Sequence, residues 1–339
     1  MNRQYKYADI PDCNSIIGIA LSGYDIGSYI AFEKNKTGRD IHYALMTTTN
    51  KYFIKVLNKK NENINMDDEI AVCNFLKKRQ LSAIPTYICR KDGNYLTQIN
   101  EHIFINVQEF IEGNIWNKYQ APDWLLFTGA SYIADVHNNL NDIKLKRRPA
   151  IMRINDANGS LIQLMEIEKK ILKCPQSKNR DFILDDLSLR KTILRNQKPI
   201  DICNLTFVNG HSDYTIKQII TRNKSFVGVV DFSEVAYIPA IWELMRFYIN
   251  SAPECIRQKI DKNKFEIYIT NYMKKSRITD YDKEVFVDFN LYYFVQALSV
   301  YEKYLEEQSE RYMMRIISRN AAIKCLQYMK QTDLRVHCT

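Results

Sequence analysis

The first part of the chain repeats short apolar segments with polar boundaries, a pattern typical of β-strands. The segments are rich in β-branched and aromatic residues. They are 28–32, 41–47, 51–57 and 102–111. Asp92–Gly93 favours a hairpin turn between two further short strands. We therefore predict a strand-rich region over about the first 110 residues.

One helix is predicted inside this region, from about residue 66 to residue 79. Its first turn holds Asp67, Asp68 and Glu69, and its last turn holds Lys77, Lys78 and Arg79. The helix macrodipole favours negative charge at the start of a helix and positive charge at its end. The charge pattern and the apolar spacing therefore indicate the same boundaries.

From Asp123 onward the apolar residues recur near helical spacing. Further helices are predicted at 160–173, at 180–196 and over most of 241–329. Strand patterns return only at 205–209, 218–221 and 226–232. We therefore predict an α+β protein: an antiparallel sheet with one main helix, followed by a mostly helical region that contains one hairpin.

Composition agrees with a folded protein that works in water. Hydrophobic residues make up 46% of the chain and charged residues 26%. No apolar run reaches the roughly 20 residues that span a bilayer, and the N-terminal residues do not resemble a signal peptide. The eight cysteines lack CxxC or zinc-ligand spacing, which favours reduced, mostly buried thiols. We expect a cytoplasmic protein with no membrane partner.

A formal net charge of +9 raises the possibility of RNA binding. The basic residues are scattered, however, and the densest run, 144–148, is interpreted as a solvated loop. The surplus charge also suits an enzyme that attracts an anionic nucleotide. RNA binding remains a third hypothesis that rests on charge alone, and we expect no nucleic-acid partner.

The segment 209–218 carries the strongest chemical pattern. His211 and Asp213 are followed by Gln218 and, after a predicted hairpin, by Asp231 and Phe232. Phosphoryl transfer needs a carboxylate near the attacking hydroxyl and oxygen ligands for magnesium. Two aspartates on a short loop and a hairpin can supply both.

A second pair precedes this segment in the chain. Lys55 lies on the predicted strand 51–57, and Glu69 lies at the start of the predicted helix. A strand lysine held by a helix glutamate is the arrangement by which kinases bind nucleotide phosphates.

Together these motifs resemble those of the aminoglycoside phosphotransferase, choline kinase and type II homoserine kinase superfamily, over about residues 20–250. The superfamily motif His-Gly-Asp-x-x-x-x-Asn is similar to 211–218, and its (Ile/Val)-Asp-(Phe/Trp) is similar to 230–232. Its Pro-x-x-(Trp/Tyr)-Asp-Leu resembles 239–244.

The resemblance implies a protein-kinase-like fold with two lobes and a set of site residues. It implies an N-lobe at 1–108, a hinge at 109–113 and a helical C-lobe at 114–339. It makes Asp213 the catalytic base, Asp231 and Gln218 the Mg²⁺ ligands, and Lys55, oriented by Glu69, the residue that binds the phosphates of ATP or GTP. Gly38 belongs to the implied phosphate loop, and the hinge residues implied for the adenine are Glu109, Phe110 and Ile111.

The implied activity is phosphorylation of a hydroxyl on an aminoglycoside-, choline- or homoserine-like molecule by a monomer or homodimer. Three sequence departures leave an alternative open. Gln218 replaces the usual Asn and Ser212 replaces Gly, and the phosphate loop has one glycine. A nucleotide-binding pseudokinase or scaffold without catalysis is therefore the alternative.

The acceptor-binding part of this fold lies in the helical region, where 280–310 is locally acidic and aromatic. The acidic residues favour either a lining for a cationic amine or a solvated helix face. The aromatic residues favour either a cage for a quaternary amine or ordinary helix packing. The sequence leaves both choices open.

Overall fold

The computed structural model describes residues 12–35, 41–58 and 66–332. These residues fall into two compact units. The first is drawn from 1–115 and 218–235, and the second from 116–217 and 236–339. Because the chain passes between the units three times, neither unit is one continuous segment.

The described strands, in chain order, are β1 (Tyr29–Asn35), β2 (Ile41–Thr47), β3 (Lys51–Asn58), β4 (Leu96–Gln98), β5 (Ile103–Glu109), β6 (Asn114–Ile115), β7 (Phe207–Gly210), β8 (Ile219–Arg222), β9 (Ser225–Val229) and β10 (Ala236–Pro239). The described α-helices are α1 (Cys13–Gly23), α2 (Met66–Lys78), α3 (Asp123–Asn139), α4 (Pro149–Met152), α5 (Ala157–Leu172), α6 (Lys178–Arg195), α7 (Ala240–Ser251), α8 (Lys262–Met273), α9 (Asp280–Gln296), α10 (Ser299–Glu307) and α11 (Glu310–Gln331).

The main sheet of the first unit is antiparallel, with strand order β1-β2-β3-β5-β4. Its central strands pair in a regular register, in which Tyr43 faces Ile54 and Ile54 faces Val107. All three side chains are buried in one apolar core with residues of α1. This confirms the predicted antiparallel sheet, whose strands match the apolar segments of the sequence to within a few residues.

Helix α1 is an element that the sequence analysis did not predict. The side chain of Asp12 caps it by accepting hydrogen bonds from the backbone N–H groups of Asn14 and Ser15, at 2.9 and 3.0 Å. Ile16 and Ile17 are buried against the sheet. The helix has only 11 residues, so its apolar face is too short to stand out from the neighbouring strand patterns.

A second, three-stranded sheet belongs to the first unit, with strand order β6-β8-β9. The backbone N–H of Val229 donates to the carbonyl of Ala83 at 2.7 Å, which fixes the hairpin to the loop after α2. Gly113 lies so close to β8 that a Cβ there would meet Ile220 at 2.6 Å. The predicted hairpin therefore forms, but it belongs to the first unit. The lobe and hinge boundaries drawn from the sequence stay a prediction.

The second unit is helical apart from the pair β7–β10. Its core is rich in aromatic rings that stack or meet edge-on. Tyr214 stacks on Phe247 with ring centroids 4.6 Å apart, and Phe247 stacks on Tyr268 at 6.2 Å. The helical pattern predicted from Asp123 onward is confirmed. Within the described residues, no helix has the length and apolar character needed to cross a membrane.

Candidate active site

In the first unit, Lys55 lies at the centre of a small ionic cluster. It projects from β3, and its Nζ lies 3.3 Å from both carboxylate oxygens of Glu69 on α2. The same Nζ lies 2.9 Å from Oδ1 of Asp231. Lys55 and Glu69 are buried, whereas the Asp231 side chain is 39% exposed. The structure thus brings together three residues that the sequence placed up to 176 positions apart.

The negative charge of Glu69 affects the pKa of two buried side chains, Tyr87 and Cys73. Burial, followed by the negative charge of Glu69, raises the pKa of the Tyr87 hydroxyl far above its ordinary value. The same two causes raise the pKa of the Cys73 thiol. Both groups therefore stay protonated near neutral pH. Among the described residues, Lys55 is the only cation within ion-pair distance of the Glu69 carboxylate.

Asp231 follows the hairpin strand β9 in an unusual backbone conformation. Its φ of 67° and ψ of 58° lie in the left-handed region, which residues other than glycine rarely adopt. Ser233 donates a hydrogen bond to Oδ1 at 2.9 Å, and the side-chain amide of Gln218 lies 3.5 Å from Oδ2. Such conformations occur at functional sites where surrounding contacts hold them.

The donor set around Asp231 fits a magnesium ion that keeps water and phosphate oxygens among its ligands. Magnesium prefers carboxylate and amide oxygens and needs only one or two from the protein. Asp231 supplies a partly exposed carboxylate, and the Gln218 amide lies beside it. Among the described residues, no group of three or more His, Cys, Asp or Glu side chains is arranged to hold a metal ion.

The residues predicted for adenine binding begin at the last residue of β5. Glu109 is the last residue of that strand, and the Phe110 backbone N–H donates to the carbonyl of Lys51 at 3.0 Å. The ammonium of Lys51 lies 3.9 Å from the centre of the Phe110 ring, and Ile111 packs against Gly228. Gly38, predicted in the phosphate loop, lies outside the described residues.

In the second unit, the loop that carries Asp213 follows β7 and is fastened by a buried glutamate. Glu243 on α7 accepts hydrogen bonds from the backbone N–H groups of His211 and Ser212. Gly210 leaves room for this carboxylate, since a Cβ there would meet Oε2 of Glu243 at 2.4 Å. The motif at 239–244, identified only by resemblance, therefore holds the loop in place.

Glu243 also belongs to a buried polar chain that the sequence did not reveal. Nε2 of His137 lies 2.9 Å from Oε2 of Glu243, and Nδ1 lies 2.9 Å from the hydroxyl of Tyr272. His137 and Glu243 are fully buried. His137 is therefore a packed histidine, because both ring nitrogens have protein partners.

Asp213 is in contact with an arginine that the sequence analysis missed. Nη2 of Arg246 on α7 donates to Oδ1 of Asp213. Burial alone would lower the pKa of Arg246, but the Asp213 carboxylate offsets this and the pKa is raised. Arg246 lies three residues after Glu243, so both side chains point to the same side of α7. That spacing was the only sequence feature that could have indicated it.

The acidic residues of 280–310 lie in ion pairs, in a helix cap or on exposed helix faces of the described structure. Asp280 is bonded to Lys283 at 2.8 Å, Asp288 to Lys330 at 2.7 Å, and Glu306 to Lys303 at 2.8 Å. Asp282 is buried as part of the cap of α9. The interpretation as helix faces and caps is therefore the one that the structure supports.

The aromatic residues of the same region serve mainly as core. Phe286 and Phe289 are fully buried, and Phe286 meets Phe265 edge-on at 5.7 Å. Tyr293 meets Trp242 edge-on at 5.2 Å. These contacts are those of ordinary helix packing.

Comparison with solved structures connects this arrangement with known folds. An amicoumacin kinase in complex with AMP-PNP and Ca²⁺ matches with a TM-score of 0.64 and 13% identity, over 96% of each chain. The chain has the fold of the small-molecule kinases. A spectinomycin phosphotransferase in complex with ADP and spectinomycin matches with a TM-score of 0.65 and 13% identity, over 96% of this chain and 100% of that chain.

A choline kinase from Streptococcus pneumoniae also matches this fold, with a TM-score of 0.56 and 16% identity, over 91% of this chain and 99% of that chain. No family model matches the sequence, and comparison with curated proteins finds no significant relative. At these identities the likeness establishes the fold, and the kinase fold predicted from the sequence motifs is confirmed.

Proposed function

We propose that this protein transfers the γ-phosphoryl group of ATP or GTP to a hydroxyl group of a small molecule. The observation that carries the proposal is the ionic cluster of Lys55, Glu69 and Asp231 in the first unit. Burying a lysine and a glutamate is costly unless each is paired, so such a cluster calls for a reason beyond stability. Binding the phosphates of a nucleotide is a reason that fits all three residues.

Each residue has a proposed role in that reaction. Lys55, held by Glu69, binds nucleotide phosphates, and Asp231 with Gln218 holds magnesium. Bound magnesium would neutralise charge on the phosphates during transfer. Asp213 orients the acceptor hydroxyl and accepts its proton, and Arg246 positions the Asp213 carboxylate. The backbone of Glu109, Phe110 and Ile111 is proposed to bind the adenine or guanine base.

A paired binding and turnover experiment tests this proposal. The measurements are the shift in unfolding temperature with ATP or GTP, with and without Mg²⁺, and phosphate transfer to a panel of hydroxyl compounds. We expect Mg²⁺–nucleotide to stabilise the wild type and Asp213→Asn, but to stabilise Asp231→Asn much less. Asp213→Asn should lower kcat by about 10²–10⁴-fold, the range for loss of a general base.

The matched control is Asp185→Asn, which removes an exposed carboxylate in the middle of α6. It should behave as the wild type in both assays. Lack of any nucleotide-induced shift in the wild type would contradict the proposal. Nucleotide binding without transfer to any acceptor would instead favour the pseudokinase alternative that the Gln218 substitution raised.

A further inference from the structure

Two arginines, Arg246 and Arg148, contact the loop of the second unit that holds Asp213, and Glu243 is the buried acid bonded to that loop. Arg246 contacts the Asp213 carboxylate, and the guanidinium groups of Arg246 and Arg148 lie over the Trp242 ring, with Cζ 5.5 and 5.2 Å from its centre. Arg148 also donates to the backbone carbonyl of Ser212 at 3.3 Å. The basic run at 144–148 is interpreted from sequence as a solvated loop. One of its arginines, Arg148, contacts the loop that holds Asp213.

Two more cations are connected to this group through the backbone. The side chain of Asn250 donates to the carbonyl of Arg246 at 2.7 Å, and the carbonyl of Asn250 accepts from Tyr119 N–H at 3.1 Å. Lys118, the residue before Tyr119, donates to the hydroxyl of Ser318 on α11. Arg319 follows Ser318 and donates to the carbonyl of Ala297 at 2.6 Å.

Lys118 and Arg319 carry charges that no described acid balances at ion-pair distance. Within the part of the chain that the structure describes, neither side chain forms an ion pair. Burial, and then the positive charges of Arg246 and Lys217, lowers the pKa of Lys118 from 10.5 to about 8. Burial, and then the positive charges of Arg190 and Arg246, lowers the pKa of Arg319 from its ordinary value to about 10. The cations therefore repel one another, and a bound anion would relieve that repulsion.

We propose that the acceptor is an anionic hydroxyl compound, whose carboxylate or phosphate is bound by Lys118 and Arg319 while its hydroxyl faces Asp213. The proposal rests on the phosphotransferase function proposed above and narrows its substrate class. An acceptor with an amine and no acid group would meet the same cations as the anion and would be repelled by them. In the acidic segment 280–310, Asp280, Asp288 and Glu306 already have lysine partners and are therefore less available to such an amine.

Binding of acceptor analogues without nucleotide tests the substrate class separately from catalysis. The probes are glycerate and glycerol 3-phosphate as anions, glycerol as the neutral compound, and ethanolamine and choline as cations, each titrated calorimetrically at constant ionic strength. We expect the wild type to bind an anionic probe and to bind glycerol and the amines at least about tenfold more weakly, as for the loss of one charge-assisted hydrogen bond.

The variants are Lys118→Met and Arg319→Met, which remove charge and keep an unbranched apolar stem. Each should bind the anionic probe about tenfold more weakly. Lys173→Met, which removes an exposed lysine from the end of α5, is the control and should leave the affinity unchanged. In turnover with an anionic acceptor, Lys118→Met and Arg319→Met should raise KM for the acceptor and leave KM for ATP unchanged.

Any of three binding results would overturn the proposal: no binding of either anionic probe, tighter binding of the amines, or equal anion affinity in wild type and both variants. A folding defect is recognised separately, because loss of mutual repulsion should leave Lys118→Met and Arg319→Met at least as heat-stable as the wild type. An increase in KM for ATP would assign the cations to the nucleotide phosphates and would also contradict the proposal. Failure of the kinase function itself would appear as absent Mg²⁺–nucleotide binding, whatever the anion probes do.

Discussion

At the scale of single residues, the charges of this protein are placed where they cost free energy unless a partner or ligand compensates for them. Lys55 and Glu69 are buried as a pair, and Lys118 and Arg319 are half-buried without an acid among the described residues. A buried pair contributes little net stability, but breaking it leaves an uncompensated charge. Substituting these residues should therefore change the free energy of unfolding in a direction that depends on whether the charge has a partner.

Replacing Lys55 tests the buried pair. Lys55→Met should lower the free energy of unfolding by about 3–5 kcal/mol, because Glu69 is left charged and buried. The double variant Lys55→Met/Glu69→Leu should regain most of that loss, since neither charge remains. Neither variant should gain stability from Mg²⁺–ATP. Urea unfolding of the wild type, Lys55→Met, Glu69→Leu and the double variant measures the coupling between the two side chains. Equal stability of Lys55→Met and the double variant would refute it.

The pH dependence of stability reports on Lys118. Its pKa in the folded protein, about 8, lies below the ordinary 10.5, so the folded state holds its proton less tightly than the unfolded state. Protonated Lys118 therefore destabilises the fold below pH 8, and this penalty disappears as pH rises from about 8 to 10.5.

Lys118→Met should consequently be more stable than the wild type at pH 7, and its advantage should shrink over that window. The measurement is the difference in unfolding temperature between the two proteins at each pH, which cancels the titration of the many tyrosines and cysteines. A difference that stays constant from pH 7 to pH 10.5 would contradict the expected titration.

At the scale of elements, a single helix organises the loop of the second unit. Helix α7 supplies Glu243 to the backbone of His211 and Ser212, and Arg246 to Asp213. Because Glu243 and Arg246 are three residues apart on α7, they can contact neighbouring residues of the same loop. Ser212 is the position where this loop departs from the resembled motif, and its φ of 62° lies in the left-handed region that favours glycine.

Ser212→Gly should stabilise the protein. The buried hydroxyl of Ser212 has no hydrogen-bond partner among the described residues, and the substitution removes it together with the backbone strain. We expect the free energy of unfolding to rise by about 1 kcal/mol, after the greater freedom of glycine in the unfolded chain is allowed for. Chemical denaturation measures this change.

The comparison variant is Ser188→Gly, at an exposed position in the middle of α6. There the same substitution should lower the free energy of unfolding by about 0.5–1 kcal/mol, because glycine disfavours a helix interior. A loss of stability of similar size in both variants would contradict the role given to the left-handed conformation of Ser212.

At the scale of the whole molecule, the order of residues in the chain and their grouping in space differ. The first unit needs the hairpin at 218–235 to complete the β6-β8-β9 sheet and to bring Asp231 to Lys55. The second unit needs both 116–217 and 236–339. Each unit is thus assembled from separate stretches of sequence.

A fragment of residues 1–115 should therefore fold poorly by itself, because it lacks the bond from Val229 to Ala83 and the partner strand of β6. Joining 1–115 to 218–235 with a short glycine-serine linker should restore cooperative unfolding, since Ile115 and Ile220 are paired neighbours. Thermal unfolding by circular dichroism compares the two polypeptides. Equally cooperative transitions would show that the hairpin adds little to the first unit.

Local patterns predicted most elements, because strand and helix periodicities depend on residues close together in the chain. The strands Ile41–Thr47 and Lys51–Asn58 and the helix Met66–Lys78 lie within a residue or so of their predicted ranges. Helix α1 was missed because its stability comes from packing on the sheet and from the Asp12 cap. Tertiary burial supplies much of the stability of so short a helix.

The sequence by itself determined the kinds of element, the kinase-like fold and the residue types of the candidate site, because those follow from periodicity and from ordered motifs. It identified Lys55, Glu69, Asp213, Gln218 and Asp231 as candidates, and their roles stay predictions. Only the tertiary structure decided which side chains meet: Lys55 with Asp231, Arg246 with Asp213, and Glu243 with the loop at His211.

The tertiary structure also decided which charges lie close together. In the acidic segment 280–310, Asp280 and Asp288 are ion-paired, whereas lysine and arginine residues that are scattered in the sequence gather near Arg246. Coulomb interactions act through space, so the charge of a site follows from contacts across the fold and cannot be summed along the chain.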